Sequence, residues 1–214
     1  MTELRPYQIE AIGKVKKTFQ CGKKSPILVL PTGAGKTVIA AEIIRRTINK
    51  NNKVLFLTHR QEIMKQTLKK LYDFGIIAGQ IAAGKPLTRD VVQVGMIQTV
   101  ANRLNVLRHK PDLIIADEYH HFIANNFLKV IKHFENVPRL GLTATPERLD
   151  GRGLCEISDD LIIGTSISEL VRQGYLAYPR IYAADKTDVD YKLVRGEFDK
   201  TEQVPTVCSI DLTV

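Results

Sequence analysis

Only three cysteines occur in 214 residues, Cys21, Cys155 and Cys208. They are odd in number, far apart and in no Cys-x-x-Cys pair, which argues against both a disulfide framework and a zinc site. Also missing is any apolar run near the roughly 20 residues that cross a bilayer, and residues 1–10 lack the apolar centre of a signal peptide. No internal repeat and no low-complexity tract interrupts the chain. These absences exclude a membrane span and a secreted disulfide scaffold. Because 44% of the residues are hydrophobic, the chain can bury a full core. The expectation is a soluble cytoplasmic protein with no membrane partner.

Acidic residues are scarce in the first half: residues 1–110 hold 20 Lys+Arg against 6 Asp+Glu, whereas residues 111–214 hold 11 against 17. A basic surplus of that size favours a polyanionic partner such as nucleic acid, through phosphate neutralisation and counterion release, although a solvated basic face has the same composition. Short β-branched apolar runs alternate with stretches of helical period, the pattern of βαβ units around a mostly parallel sheet with helices on both faces. Strands are predicted at 26–30, 53–58, 76–82, 91–95, 112–116 and 139–143. Helices are predicted from Pro6, with Ile9, Ile12, Val15 and Phe19 on or near one face, and at 36–49, 60–74, 97–107 and 122–134. Asn51, Asn52 and Gly75 close two of them. Beyond Pro179 the chain turns polar, with short β-like pieces, so residues 1–179 read as one domain and 180–214 as a linker or short β-rich extension.

Pro31-Thr32-Gly33-Ala34-Gly35-Lys36-Thr37 joins a buried strand to a helix start, the context that phosphate binding requires. Gly33 and Gly35 let backbone N–H groups turn inward, the helix N-terminus adds partial positive charge, Lys36 can reach the β/γ-phosphates, and the Thr37 hydroxyl can ligate Mg²⁺. Leu30 stands where the general P-loop pattern has its first Gly. A second strand, Leu113-Ile114-Ile115-Ala116-Asp117-Glu118, ends in two carboxylates: Asp117 for the Mg²⁺ shell and Glu118 as the base for an attacking water.

At Asp117-Glu118-Tyr119-His120 the chain resembles the DExH group of superfamily 2 helicases and translocases, in which the first P-loop Gly is often replaced. The resemblance implies a RecA-like P-loop NTPase fold with ATP and Mg²⁺ as cofactors. Leu4-Arg5-Pro6-Tyr7-Gln8 resembles that family's adenine-recognition motif, with Gln8 at the adenine edge and Arg5 or Tyr7 near the base. Leu142-Thr143-Ala144-Thr145-Pro146 resembles the motif that couples hydrolysis to movement, through Thr143, Thr145 and His120. His121 matches no family position. Thr58-His59-Arg60-Gln61-Glu62 and Gly95-Met96-Ile97-Gln98-Thr99 resemble the loops that hold a sugar-phosphate backbone, which assigns Thr58, Arg60, Gln98 and Thr99 to nucleic-acid contact. Arg148-Leu149-Asp150-Gly151 and Glu169-Leu170-Val171-Arg172-Gln173-Gly174-Tyr175-Leu176 are similar to the branch of type III restriction motors, repair translocases and phage helicases, which favours DNA over RNA.

The Gln-x-x-Gly-Arg-x-x-Arg motif with which the family's second domain supplies arginine fingers is not in the sequence. The stretch after Pro179 is too short for another domain of roughly 100 residues. The resemblance therefore implies the first motor domain of a longer protein, partnered by a second RecA-like domain and slow at hydrolysis alone, with a naturally single-domain relative as the alternative. Two other readings share parts of the pattern: a different P-loop NTPase, and a nucleic-acid-binding module that is catalytically incomplete. Thr143, Thr145 and Gln8 argue against the first, and intact Lys36, Thr37, Asp117 and Glu118 against the second.

Overall fold

The computed structural model describes residues 3–107, 110–119, 125–145 and 158–178, together with two short strands at Leu193–Val194 and Glu197–Phe198. Two compact units divide the chain, Met1–Ala177 and Tyr178–Val214. In the first, α1 (Pro6–Gln20) precedes β1 (Pro26–Val29), α2 (Lys36–Ile48), β2 (Val54–Thr58) and α3 (Gln61–Asp73). Then come β3 (Ala78–Ile81), β4 (Val92–Met96), α4 (Ile97–Asn102), a 3₁₀ turn (Leu104–Val106), β5 (Leu113–Asp117), α5 (Asn125–His133), β6 (Arg139–Thr143), β7 (Asp160–Ile163) and α6 (Ile167–Arg172). In the second unit the described residues form an antiparallel pair, β8 (Leu193–Val194) with β9 (Glu197–Phe198).

The seven strands lie in the order β3-β4-β2-β5-β6-β1-β7, and every pairing is parallel. A parallel sheet must be covered on both faces, and strand alternation shows how. Val54, Phe56, Leu113 and Ile115 face one apolar cluster with α1, α2 and α3, while Leu55, Leu57, Ile114 and Ala116 face another with α4 and α5. The mostly parallel α/β sheet read from the sequence is thus present, with helices on both faces.

Several boundaries differ from expectation. Helix α4 stops at Asn102 and the chain continues into the 3₁₀ turn, so no single helix spans 97–107. In α1 the buried side is Tyr7, Gln8, Ala11, Ile12 and Val15, whereas Ile9 is exposed. Gln8 occupies the inward position that apolar periodicity gave to Ile9. Strand β7 and helix α6 were not expected. Asn51 and Gly75 both adopt the left-handed conformation that ends α2 and α3.

Candidate nucleotide and nucleic-acid sites

All strands of the large sheet run in parallel, so the loops after β1, β2, β4, β5 and β6 emerge on one edge, where ligands of open α/β sheets sit. In the loop after β1, Gly33 and Gly35 have φ of 83° and 80°, left-handed values that a side chain resists. A Cβ at Gly35 would lie 2.6 Å from Gln8 Nε2. The loop is held from behind by α1: Tyr7 Oη donates to Ala34 O at 3.0 Å, and Gln8 Nε2 donates to the same oxygen at 3.2 Å. Gln8 Oε1 accepts from Arg5 N at 3.0 Å. The buried Gln8 amide therefore fixes the loop and the start of α1 at once, and its remaining N–H and lone pair are what it could offer a base edge.

Lys36 begins α2 with its ammonium 3.9 Å from Glu118 Oε1 and 3.5 Å from Leu30 O. Gly33, Gly35, Lys36, Thr37, Asp117 and Glu118 line one cleft of about 480 Å³. Its far wall is α3, through Ile63, Gln66, Thr67 and Lys70, none of which sequence reasoning assigned to a site; Gln66 and Lys70 are ordinary polar residues of an amphipathic helix. Thr32 is exposed, and Arg5, Tyr7 and Gln8 lie behind the loop and not along this cleft.

The acidic pair is built under strain. Glu118 has φ of 53°, rare for a side-chain-bearing residue, and donates its N–H to Asp117 Oδ1 at 3.0 Å. Burial first, and then the Glu118 charge, push the Asp117 carboxyl up to about 6, against the opposing pull of Lys36 and of that backbone N–H. Tyr119 anchors the turn: it is 1% exposed, packs edge-on to Phe127 at 5.3 Å, and lies so close to Gly141 that a Cβ there would be 2.7 Å from its ring. Burial pushes the Tyr119 phenol up to about 12, so it stays neutral.

Strand β6 lies between β5 and β1, and its end carries Thr143, fully buried, whose Oγ1 donates to Thr145 O at 2.8 Å and accepts from Thr145 N at 3.2 Å. His120, Pro146 and residues 147–151 lie outside the described residues. On the other half of the edge, Arg60 and Gln98 are exposed and Thr99 half-buried. Thr58 is wholly buried, with its hydroxyl 3.5 Å from Arg60 O and 3.8 Å from Met96 Sδ, so it shapes the turn that presents Arg60. Among the described residues no group of three His, Cys, Asp or Glu is placed to hold a metal by itself, and no helix is long and apolar enough to cross a membrane.

Comparison with known proteins shows the family and the fold. Residues 1–148 match the model of the family described as type III restriction enzyme, res subunit. The putative ATP-dependent helicase IRC3 of Saccharomyces cerevisiae is 31% identical over 94% of this chain and 32% of its own length. The DNA 3'-5' translocase XPB2 of Sulfurisphaera tokodaii is 37% identical over 70% of this chain and 32% of its own. The crystal structure of the UvsW helicase from bacteriophage T4 superimposes with a TM-score of 0.65 at 19% identity, covering 76% of this chain and 60% of that one. The chain spans about a third of the length of these curated relatives.

Proposed function

The chain belongs to the type III restriction enzyme res-subunit family, within the superfamily 2 helicases, and from that premise we propose that residues 1–179 are the ATP-binding motor domain of a nucleic-acid helicase or translocase. One observation carries the reading: the phosphate loop's Lys36 and Thr37 and the strand-end carboxylates Asp117 and Glu118 line a single cleft. The left-handed glycines of that loop fit phosphate oxygens, because they turn backbone N–H groups toward a ligand where side chains would crowd it. Thr37 and Asp117 fit Mg²⁺ as hard oxygen ligands. When bound there, Mg²⁺ would neutralise phosphate charge.

The side chains then divide the work. Lys36, held near Glu118 in this structure, moves its charge to the β/γ-phosphates. Glu118, at the end of the acidic strand, takes the proton of the attacking water. Gln8, Arg5 and Tyr7 serve the base, and Thr143 and Thr145, with His120, link the cleft to the nucleic-acid side. Residues 180–214 connect to a second RecA-like domain, whose arginines complete the site, so the 214 residues alone hydrolyse ATP slowly.

DNA is the favoured track, with RNA second. Arg60, Gln98 and Thr99 suit a phosphate backbone, and Asn102, four residues after Gln98, shares its helix face. Asn102 and Asn105 also line a separate cleft of about 400 Å³ with Lys129, Lys132 and His133, whose charge suits a polyanion. The name of the translocase XPB2 supports the DNA preference.

The test is nucleotide binding by the 214-residue chain together with the ATPase rate of the full-length protein on single-stranded DNA, duplex DNA and RNA. Lys36→Ala should weaken ADP binding on the order of tenfold or more, through loss of a charge-assisted phosphate contact. Unchanged affinity in that variant would refute the phosphate-loop reading, and a full-length ATPase indifferent to every nucleic acid would refute the motor.

A further inference from the structure

The segment Glu169–Leu176, outside the phosphate loop and the acidic strand, is built with unusual definition. Helix α6 is capped by Ser166, whose Oγ accepts from Glu169 N, and the chain leaves it through Gly174 at φ of 73°. Gly174 N donates to Val171 O at 3.0 Å and Tyr175 N to Leu170 O at 2.8 Å, the paired bonds of a Schellman ending, with Leu170 fully buried as the anchor. That ending fixes where Tyr175 and Leu176 go.

Both residues reach the nucleotide loop. The Tyr175 ring lies 4.5 Å from the Arg5 guanidinium carbon, and its centroid is 5.4 Å from that of Tyr7. Leu176 covers Gly33 so closely that a Cβ there would sit 2.8 Å from Leu176 Cδ2. Arg5 is exposed on its own, so the Tyr175 face and the 3.3 Å bond from Arg5 Nη1 to Tyr7 Oη are what restrict its long side chain. Tyr7 passes the restraint on to Ala34 O. Leu176 is next to Ala177, the last residue of the first unit.

We propose that Tyr175 and Leu176 are positioning residues of the nucleotide site: Tyr175 holds Arg5 and Tyr7 in place for the base, and Leu176 roofs the phosphate loop at Gly33. This rests on the nucleotide reading above. A guanidinium already stacked loses less freedom when a base arrives, so the ring acts on base affinity, whereas phosphate affinity belongs to Lys36 and the loop N–H groups. The plainer role, a stack that only ties α1 to α6, would affect every ligand through stability alone.

The experiment titrates fluorescent N-methylanthraniloyl-ADP into the 214-residue chain, with inorganic tripolyphosphate as competitor, for wild type, Tyr175→Phe, Tyr175→Leu and Lys36→Ala. Tyr175→Leu keeps apolar volume and removes the aromatic face. It should weaken ADP about three- to fivefold, the scale of one cation–π contact, and leave tripolyphosphate within about 1.5-fold. Tyr175→Phe should restore wild-type ADP affinity. Equal loss for both ligands, or none for ADP, overturns the proposal. Failure of Lys36→Ala to weaken either ligand would instead overturn the nucleotide reading beneath it. Should Tyr175→Leu melt early, Arg5→Gln removes the cation from the same stack, and it must reproduce the selective loss for the proposal to stand.

Discussion

Asp117→Asn should stabilise the protein while destroying its proposed activity. Asp117 is 7% exposed, and its carboxyl stands at about 6 against an ordinary 3.8. Between those values the folded state binds more protons than the unfolded chain, so stability falls as pH rises through the window, and the penalty is fully present above about pH 6. About two units correspond to ~3 kcal/mol at most. Asn keeps the oxygen that accepts Glu118 N and removes the buried charge; the value of about 6 already includes the attraction to Lys36, and with partial relaxation of the site a gain of about 1–3 kcal/mol is expected at pH 7.5. For a domain of this size that raises the melting midpoint by roughly 2–10 °C. The assay is thermal unfolding of both proteins in EDTA from pH 4 to 7.5. Their difference in midpoint should be small near pH 4, grow toward pH 6 and then level off. A variant that melts at or below wild type at pH 7.5, or a difference that does not change with pH, would refute the reasoning.

Two further substitutions separate the loop from the nucleic-acid edge. Gly35→Ala must adopt φ near 80° and displace Gln8 Nε2 from 2.6 Å; it should cost about 1–2 kcal/mol in thermal unfolding and lower ADP affinity as the Ala34 latch loosens. Arg60→Ala and Gln98→Ala differ in charge and should differ in signature when single-stranded DNA binding is measured by anisotropy across salt concentrations. The arginine variant should lower the salt slope by roughly 0.7, one phosphate's share on a single strand, and the glutamine variant should weaken binding at unchanged slope.

What could be read from the sequence was local chemistry. Gly33 to Thr37 carry their own reason to be a strand-to-helix loop, and Asp117 and Glu118 follow the apolar run Leu113-Ile114-Ile115-Ala116, so the two halves of the cleft were legible from local pattern. What was not legible depends on distant partners. Strand β7 is four residues long, with Leu161 and Ile163 exposed, and it exists because it pairs with β1 and because Asp159 accepts from Lys24 N and Ser25 N. Gln66 and Lys70 look like any solvated helix face until α3 is set beside the phosphate loop. Ile9 was turned inward on periodicity, but Gln8 is the residue buried there, because its amide closes the α1 start and holds Ala34 O. Local pattern misjudges a helix face where a polar side chain is buried to hold something else.

Under the proposed motor reading, the strand order sets the candidates for hydrolysis and for nucleic-acid contact along one edge. Along the ligand edge the order β4-β2-β5-β6-β1 sets the nucleic-acid candidates on β4 and β2, the carboxylates on β5 and the phosphate loop on β1, with β6 wedged between the last two. Leu30 N donates to Thr143 O at 3.0 Å, and Gly141 on β6 receives the Tyr119 ring that follows Glu118. Strand β6 is thus fastened to the phosphate loop on one side and to the acidic turn on the other. Under the proposed motor reading, a backbone displacement of the phosphate loop or of the acidic turn on nucleotide binding would be felt by the Thr143–Thr145 turn through those two contacts. Asp117 closes β5, which neighbours β2, so on the same proposal a displacement of the acidic turn would reach Thr58 and Arg60 across a single strand pairing.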